Sequence, residues 1–508
     1  MTRGLIPDTF LLHWEGQWDR GTYYYYGYCS DTLMNGPEET EGEGDYVFRY
    51  VEEDKKMKRK SAAFFFFAFV CLLLAVWAPC LPAQSDAGVL DLNQIIEEAL
   101  SNNPELKGAQ AKADAYRERP SQAASLADPR ISLGVQNIAT DDFDFNTIDM
   151  TMKVIELSQE VPLPGILSLK KEAALHEAHA MEKKAKETEF KLIKKVKQSY
   201  YDLYYLTNAI AVTEENKDLL EKFLAITETR YAVGKGIQQD VLKAQVEFSK
   251  IMEKLIDFEQ KKASTAAELR ALLNRPPEAA IPDPPAIEKT AFTYTPEDLQ
   301  NIALECNPAL NDLQNILKSR ESEYQLAKKE YFPSLMFTAA YGQREDGKKS
   351  RSMMATGSTM GGEPVEVSIP GEAEHRSDTF SFMVGFTVPL WFHTKQNGKI
   401  KETLAMMEET KSHQQAMKNE IFFSIKNIGE RERRGSKLIE LYKNNIIPQS
   451  KASLDSAIAG YEVGNVDFMA LLENQITLFD YQLSYHEVLA DYEKDLAEIE
   501  SVVGRRLF

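Results

Sequence analysis

Residues 99–106, ALSNNPEL, decide the fold, because the same pattern returns as ALECNPAL at 303–310. The second copy lies 204 residues farther along, counted from Ala99 to Ala303, and Pro129 and Pro333 are separated by the same 204 residues. A sequence that repeats itself at long spacing reveals its structural unit. We therefore expect two similarly folded halves.

Two further matches locate an insertion in the second half. Val-Pro-Leu at 161–163 returns at 388–390 with an offset of 227, and YAVG at 231–234 returns as YEVG at 461–464 with an offset of 230. The offset therefore grows by 23 residues after Pro333 (227 minus 204). Residues 343–376 are rich in Gly, Ser and Met and lack periodicity, so we expect the insertion to be a loop there.

Each half is predicted to contain a helix, two strands, a very long helix, a tight turn and a second long helix. The first half spans 90–275, with strands near 130–137 and 148–161 and long helices near 166–231 and 237–274. The second half spans 297–508, with strands near 334–343 and 378–389 and long helices near 394–461 and 466–504. A Pro-rich linker at 276–296 joins them.

The predicted strands alternate apolar side chains with other residues, which places one face of each strand in an apolar medium. The alternating apolar residues are Ile131, Leu133 and Val135; Met150, Met152 and Val154; Leu335, Phe337, Ala339 and Tyr341; and Phe380, Phe382, Val384, Phe386 and Val388. A water-soluble sandwich gives the same pattern. Four strands are too few to close a transmembrane barrel, which needs at least about eight, so several chains are expected to share one barrel.

The long helices favour an extended molecule. Residues 167–231 contain no Gly or Pro, and 65 residues at about 1.5 Å each give a rod of about 100 Å. The counterpart at 399–461 contains only Gly429, Gly435, Pro448 and Gly460 as helix breakers.

The last helix carries a heptad seam with a second apolar stripe beside it, so we expect neighbours on two sides. The seam consists of Leu471, Leu478, Tyr485, Tyr492 and Ile499, with Leu489, Leu496 and Val503 between, and the second stripe begins with Leu472 and Phe479. A simple antiparallel coiled coil is the alternative.

The N-terminal region predicts export. Lys58-Arg59-Lys60 precedes the apolar run 62–77, and small residues and prolines follow, which is typical of a secretory signal. We assign 57–83 to a cleaved signal that starts at Met57, and 1–56 to an upstream extension without function. The alternatives are a retained anchor and lipidation of Cys80. Of the four cysteines only Cys306 follows the signal, so no internal disulfide is expected.

Charge excludes one class of partner. The 508 residues carry a formal charge of −19 with no sustained basic stripe, whereas nucleic-acid binding needs a basic face. No arrangement typical of a catalytic site stands out, and we expect no enzymatic activity. His176 and His179 lie one helical turn apart, and Met353, Met354, Met360 and His375 fall in the predicted loop. Soft thioethers suit Cu(I), but solvated surface is the simpler interpretation, and we predict no metal site.

The ordered set of features resembles the TolC family of outer-membrane efflux proteins over residues 90–508. These features are the export signal, Asn-Pro near the head of each half, strand pairs leading into long rods, and Tyr-x-Val-Gly turns. The resemblance implies a mixed α/β membrane protein with four transmembrane strands per chain. Those strands would join a trimeric twelve-stranded β-barrel that continues as a long periplasmic α-helical barrel.

The same resemblance implies partners and cargo. It implies a homotrimer in outer-membrane lipid that docks with a periplasmic adaptor (membrane fusion protein) and an inner-membrane pump, without a cofactor. LSQEVPLPG at 157–165, with Asp-Pro-Arg at 128–130, resembles the heavy-metal branch, which implies copper, silver or zinc-type ions as cargo. A periplasmic adaptor and a structural coiled-coil protein are the alternatives.

The resemblance places the two turns at the periplasmic tip that meets the adaptor. The tip residues are Tyr231, Val233, Gly234, Gly236, Tyr461, Val463 and Gly464. Glycine suits such turns because a sharp reversal needs a positive φ. Past the turns, Asp240 and Glu473 are candidates for an acidic constriction of the tunnel, where Ala470 takes the place of a common acid; solvated helix surface is the alternative for both.

Overall fold

The computed structural model describes residues 90–141, 143–347, 350–355, 365–370 and 373–508. The predicted extension at 1–56 and the predicted signal at 57–83 lie outside these residues. No helix in the described ranges combines the length and the apolar character needed to cross a membrane.

The first half begins with three helices, α1 (Leu92–Asn102), α2 (Pro104–Arg117) and α3 (Arg119–Ala123). The strands β1 (Arg130–Gln136) and β2 (Met152–Val161) follow. They lead into α4 (Ile166–Ala232) and α5 (Gln238–Leu273). With 67 residues, α4 is a rod about 100 Å long.

The second half repeats this order with additions. Its head is α6 (Pro296–Cys306) and α7 (Pro308–Lys329). Four strands follow: β3 (Leu335–Gln343), β4 (Ser350–Ala355), β5 (Val365–Pro370) and β6 (Thr379–Phe386). The helices are α8 (Lys395–Leu441), a π-helical turn (Tyr442–Ile446), α9 (Ile447–Glu462) and α10 (Phe468–Val503).

The helix predicted near 394–461 contains a π-helical turn, Tyr442–Ile446, between α8 and α9. Pro448 lies in the first turn of α9. Proline has no N–H and its ring clashes with the carbonyl four residues earlier. A single wider turn ahead of it lets the chain continue in the same direction.

The repeated Asn-Pro performs the same task in both halves. The Asn103 side chain accepts hydrogen bonds from two backbone N–H groups in the first turn of α2 and donates to the Leu272 carbonyl at 2.9 Å. The Asn307 side chain accepts from the Leu310 N–H at 2.8 Å and donates to the Val502 carbonyl at 2.7 Å. Each asparagine therefore caps one helix and fastens it to the end of the last helix of its half.

The main sheet is antiparallel with the order β1-β2-β3-β6, so β1 and β6 are its edges. One row across it reads Leu133, Ile155, Tyr341 and Phe380. All four side chains are exposed apolar or aromatic residues. The register therefore gathers large apolar side chains on one face.

The exposed members of this apolar face come from all four strands. They are Ile131, Leu133, Val135, Ile155, Leu157, Tyr341, Phe380, Phe382, Val384 and Phe386. Such a face is too large for an ordinary water-exposed surface.

One strand was assigned the wrong apolar face. Val154 pairs with Gly134 and Gly342, so Val154 and Met152 point to the opposite face from Ile155. Met150 precedes β2. In β2 both the even-numbered and the odd-numbered residues include apolar side chains. The alternation alone therefore did not identify the set that lies on the apolar face.

The prediction that 343–376 is a loop is also wrong, because β4 and β5 form an antiparallel hairpin in it. The pair Gly347–Glu374 extends the β3–β6 ladder toward this hairpin. The insertion therefore contains a second antiparallel pair of strands.

The last helix, α10, packs against α4, α8 and α9. The predicted seam and second stripe are buried at Leu471, Leu472, Phe479, Tyr492 and Ile499. This two-sided packing agrees with the sequence pattern. The apolar core forms two clusters along the rods, one near the capped helix ends and one nearer the turns.

Candidate functional site

The turn of the first helical hairpin is fixed by one glycine in the left-handed region. Gly234 has φ of 71°, and its N–H donates to the Tyr231 carbonyl at 3.0 Å. The Lys235 N–H donates to the Arg230 carbonyl at 2.8 Å. These two hydrogen bonds satisfy backbone carbonyls at the end of α4 that have no partner within the helix. Tyr231 and Val233 are 48% and 62% exposed.

A second glycine of this turn is needed for space. A Cβ on Gly236 would lie 3.2 Å from the Tyr231 backbone nitrogen. A larger residue there would push the start of α5 away from the end of α4. The structure thus gives Gly234 and Gly236 different roles.

The turn of the second hairpin has the same geometry. Gly464 has φ of 79°, and its N–H donates to the Tyr461 carbonyl at 3.1 Å. Val463 is 71% exposed, whereas Tyr461 is only 8% exposed. Tyr461 therefore packs on the inner side of the second turn. Tyr231 and Val233 of the first turn, and Val463 of the second, form the exposed apolar surface of the two turns.

The two turns are fastened to each other within one chain. Arg230 donates from Nη1 to the Tyr461 carbonyl at 3.0 Å. Its guanidinium lies over the Tyr461 ring, 4.5 Å from the centroid. A cation over an aromatic face is an attractive contact. The end of α4 is thus held against the end of α9.

A groove of about 440 Å³ beside the turns contains two carboxylates, Asp240 and Asp467. Burial and the nearby Asp467 carboxylate raise the pKa of Asp240, while Arg230 opposes this. Two acids in one groove attract cations. Of the predicted constriction pair, only Asp240 lies here; Glu473 is exposed farther along α10, outside the residues that line the groove.

Sequence reasoning missed Asp467. Its side chain accepts a hydrogen bond from the Ala470 N–H at 2.7 Å and so caps α10. An acid just ahead of an apolar helical run is a helix-start signal. That signal locates the residue but does not reveal its nearness to Asp240, which depends on how the two hairpins pack.

In the described residues no group of three or more His, Cys, Asp or Glu side chains could hold a metal ion. Burial and Lys318 lower the pKa of His176, and His375 lies 3.1 Å from Asp346. The side chains of Met353, Met354 and Met360 fall outside the described side chains.

Comparison with known proteins completes this description. The model of the family described as outer membrane efflux protein matches residues 95–275 and 299–505. The chain belongs to the outer membrane efflux protein family. The two matched segments lie within the two repeats found by self-comparison, and the family is one of efflux proteins located in the outer membrane.

Two curated relatives match most of this chain. Outer membrane protein TolC of Escherichia coli is 23% identical over 436 residues, covering 82% of this chain and 82% of TolC. Cobalt-zinc-cadmium resistance protein CzcC of Cupriavidus metallidurans is 19% identical over 440 residues, covering 84% of this chain and 93% of CzcC.

A solved structure shows the same fold. The outer membrane protein VceC of Vibrio cholerae superposes with a TM-score of 0.65 at 15% identity, covering 82% of this chain and 96% of that chain. This likeness confirms the predicted TolC-like fold. Membership of the outer membrane efflux protein family and the similarity to TolC confirm the predicted function as an outer-membrane efflux channel.

Proposed function

We propose that this efflux protein works as a trimeric duct in a three-part export system, without catalytic activity of its own. Three copies would pool four strands each into a twelve-stranded barrel in the outer membrane. The helices would continue as a tunnel through the periplasm. An adaptor and an inner-membrane pump would deliver cargo at the tip.

The observation that carries this proposal is the sheet with one apolar face and two free edges. Leu133 on edge strand β1 is 77% exposed, and Phe380 on edge strand β6 is 74% exposed. Unpaired edges cannot face lipid, because every backbone group there must be hydrogen-bonded. Since β1 and β6 run in opposite directions, β6 of one copy can pair with β1 of the next, and three copies close the wall.

The tip supports the proposed contact with the adaptor. Val233 and Val463 are exposed apolar residues at the outermost turns, and the positive φ of Gly234 and Gly464 shapes both turns alike. Two similar turns per chain would present six similar docking points in a trimer. We assign Tyr231 to the same surface and Gly236 to its support.

We assign the constriction to Asp240 together with Asp467, because both line the same groove. Three copies would place several carboxylates around the mouth, where they would concentrate cations. Glu473, exposed on α10, would lie deeper along the same tunnel.

For cargo, we propose heavy-metal ions. The sequence LSQEVPLPG at 157–165 supports this assignment, and so does the similarity to a cobalt-zinc-cadmium resistance protein. Deletion of the gene should lower tolerance to metals more than tolerance to organic toxicants. The reverse result would contradict the metal assignment and leave the duct itself intact.

Cell fractionation with gel electrophoresis tests the duct. We expect the protein in the outer membrane, and we expect it to run as a trimer in mild detergent and as a monomer after boiling. Recovery as a soluble periplasmic monomer would contradict the proposal and favour an adaptor. Recovery from the inner membrane would favour an anchored coiled-coil protein.

A further inference from the structure

A cavity of about 550 Å³ lies where the sheet meets the helices. It is lined from the ends of β2 and β6, from the chain between α7 and β3, and from the first turns of α4 and α8. If the strands cross the outer membrane, as proposed above, this junction lies at the periplasmic surface of the bilayer. The inference drawn from it rests on that proposed function.

Four charged residues of both signs line the cavity. They are Lys170 on α4, Lys395 at the start of α8, Glu160 at the end of β2 and Glu330 after α7. Within the described part of the chain none of these four is in an ion pair. Two cations and two anions are therefore free to bind a ligand that carries both charges.

One buried amide also lacks a partner. Gln396 lines the cavity and is only 7% exposed. Its side-chain oxygen is buried and accepts no hydrogen bond from the described residues. A buried polar group without a partner destabilises the folded state. A ligand N–H donor satisfies this oxygen once the side chains that cover it move aside.

The rim of the cavity is apolar and aromatic. Phe332, Leu390 and Trp391 are 62%, 72% and 77% exposed. Leu390 and Trp391 lie four and five residues after the end of β6. Aromatic residues at the edge of the apolar band are typical of the level of lipid headgroups. The rim therefore suits acyl chains beside a polar headgroup.

We propose that this cavity binds the headgroup of phosphatidylethanolamine from the periplasmic leaflet. Lys170 and Lys395 would bind the phosphate. The ammonium would donate to Glu160, Glu330 and the Gln396 oxygen, and the acyl chains would lie along Trp391. Phosphatidylcholine has the same charges but no N–H donor, and phosphatidylglycerol has no ammonium, so the site discriminates against both.

Native mass spectrometry of the full-length trimer tests the proposal. The purified protein is mixed with equal amounts of phosphatidylethanolamine, phosphatidylcholine and phosphatidylglycerol, and the bound lipid is counted. We expect about fivefold more phosphatidylethanolamine than phosphatidylcholine, which corresponds to a charge-assisted hydrogen bond of about 1 kcal/mol. The double variant Lys170→Gln/Lys395→Gln should lower the total bound lipid and reduce this ratio.

The matched control is Lys171→Gln/Lys399→Gln, which removes the same charge on the same two helices outside the cavity. It should bind lipid like the wild type. A second variant, Gln396→Leu, should remove the preference over phosphatidylcholine without removing lipid, because only the acceptor is lost.

Three results would overturn the lipid site. They are equal binding of the three lipids, a preference for phosphatidylglycerol, and a disulfide between copies of Trp391→Cys that shows a second copy covering the rim. In each case the trimer would still be visible in the mass spectrum, so the proposed function as a trimeric duct would stand. Loss of the trimer in the wild type would instead contradict the proposed function.

Discussion

The two halves of the chain share their caps and turns but differ in the helix that runs to the tip. In the first half α4 is continuous over 67 residues. In the second half α8 and α9 are separated by a π-helical turn, and β4 and β5 are added. Duplication thus preserved the hydrogen bonds that close each half, while the second half accepted a break and an insertion.

The largest effect is expected from the shared caps. Asn307→Ala removes a helix cap and leaves the Val502 carbonyl without its 2.7 Å donor. We expect a loss of about 3 kcal/mol, from a cap and a buried unpaired group together. Asn103→Ala should lose a similar amount. Melting temperatures of both variants measure this, with the exposed Asn301→Ala as control; a large loss in only one half would break the equivalence.

The second-largest effect is expected from a buried acid that only the second half has. Asp312 occupies the place of Gly108, at the offset of 204, and burial raises its pKa to about 6, with Lys184 opposing this. Because the folded state favours the protonated acid, stability is present below the ordinary pKa and is lost as pH rises to about 6.

At pH 7.5 Asp312→Asn should therefore be more stable than the wild type, by at most about 3 kcal/mol in the free energy of unfolding, and should melt at a higher temperature. The difference should vanish near pH 4. Melting curves at both pH values measure it, with the exposed Asp455→Asn as control. A stabilisation of equal size at both pH values would contradict burial of the charge as its cause.

The two turn glycines should respond alike. Gly234→Ala and Gly464→Ala each put a side chain at a positive φ, although no atom lies within 4 Å of the new Cβ. We expect a loss of about 1–2 kcal/mol in each, from backbone strain alone. Gly429→Ala, inside α8 and equally open, should instead gain stability. Unequal losses at the two turns would show that the tips are not equivalent.

The smallest effect is expected where the two tips meet. Arg230→Gln removes the contact of the guanidinium with the Tyr461 ring, which is worth about 0.5–1 kcal/mol. Spin labels on Val233→Cys and Val463→Cys, in a Cys306→Ser background, should report a longer and broader distance. Arg434→Gln, on α8 away from the tip, is the control. An unchanged distance would show that packing alone holds the tips together.

The sequence predicted most of the fold because the duplication and the long uninterrupted helix are strong signals. Three failures have physical causes. Apolar residues at both alternating sets of β2 hid which face carried Ile155. The inserted β4–β5 hairpin lies in a segment rich in Gly, Ser and Met, whose composition is typical of a loop. The nearness of Asp467 to Asp240 depends on the packing of two hairpins, which no local pattern records.

Pairing of β1 with β6 of another copy is the most direct test of the central claim. In a Cys306→Ser background, Leu133→Cys is combined in turn with Phe380→Cys, Phe382→Cys and Val384→Cys. Within one chain these edges are three strand spacings apart, about 14 Å, too far for a disulfide. Oxidation of outer membranes should give a covalent trimer for at least one pair and none for the single variants. Monomers for every pair would contradict a barrel shared among copies.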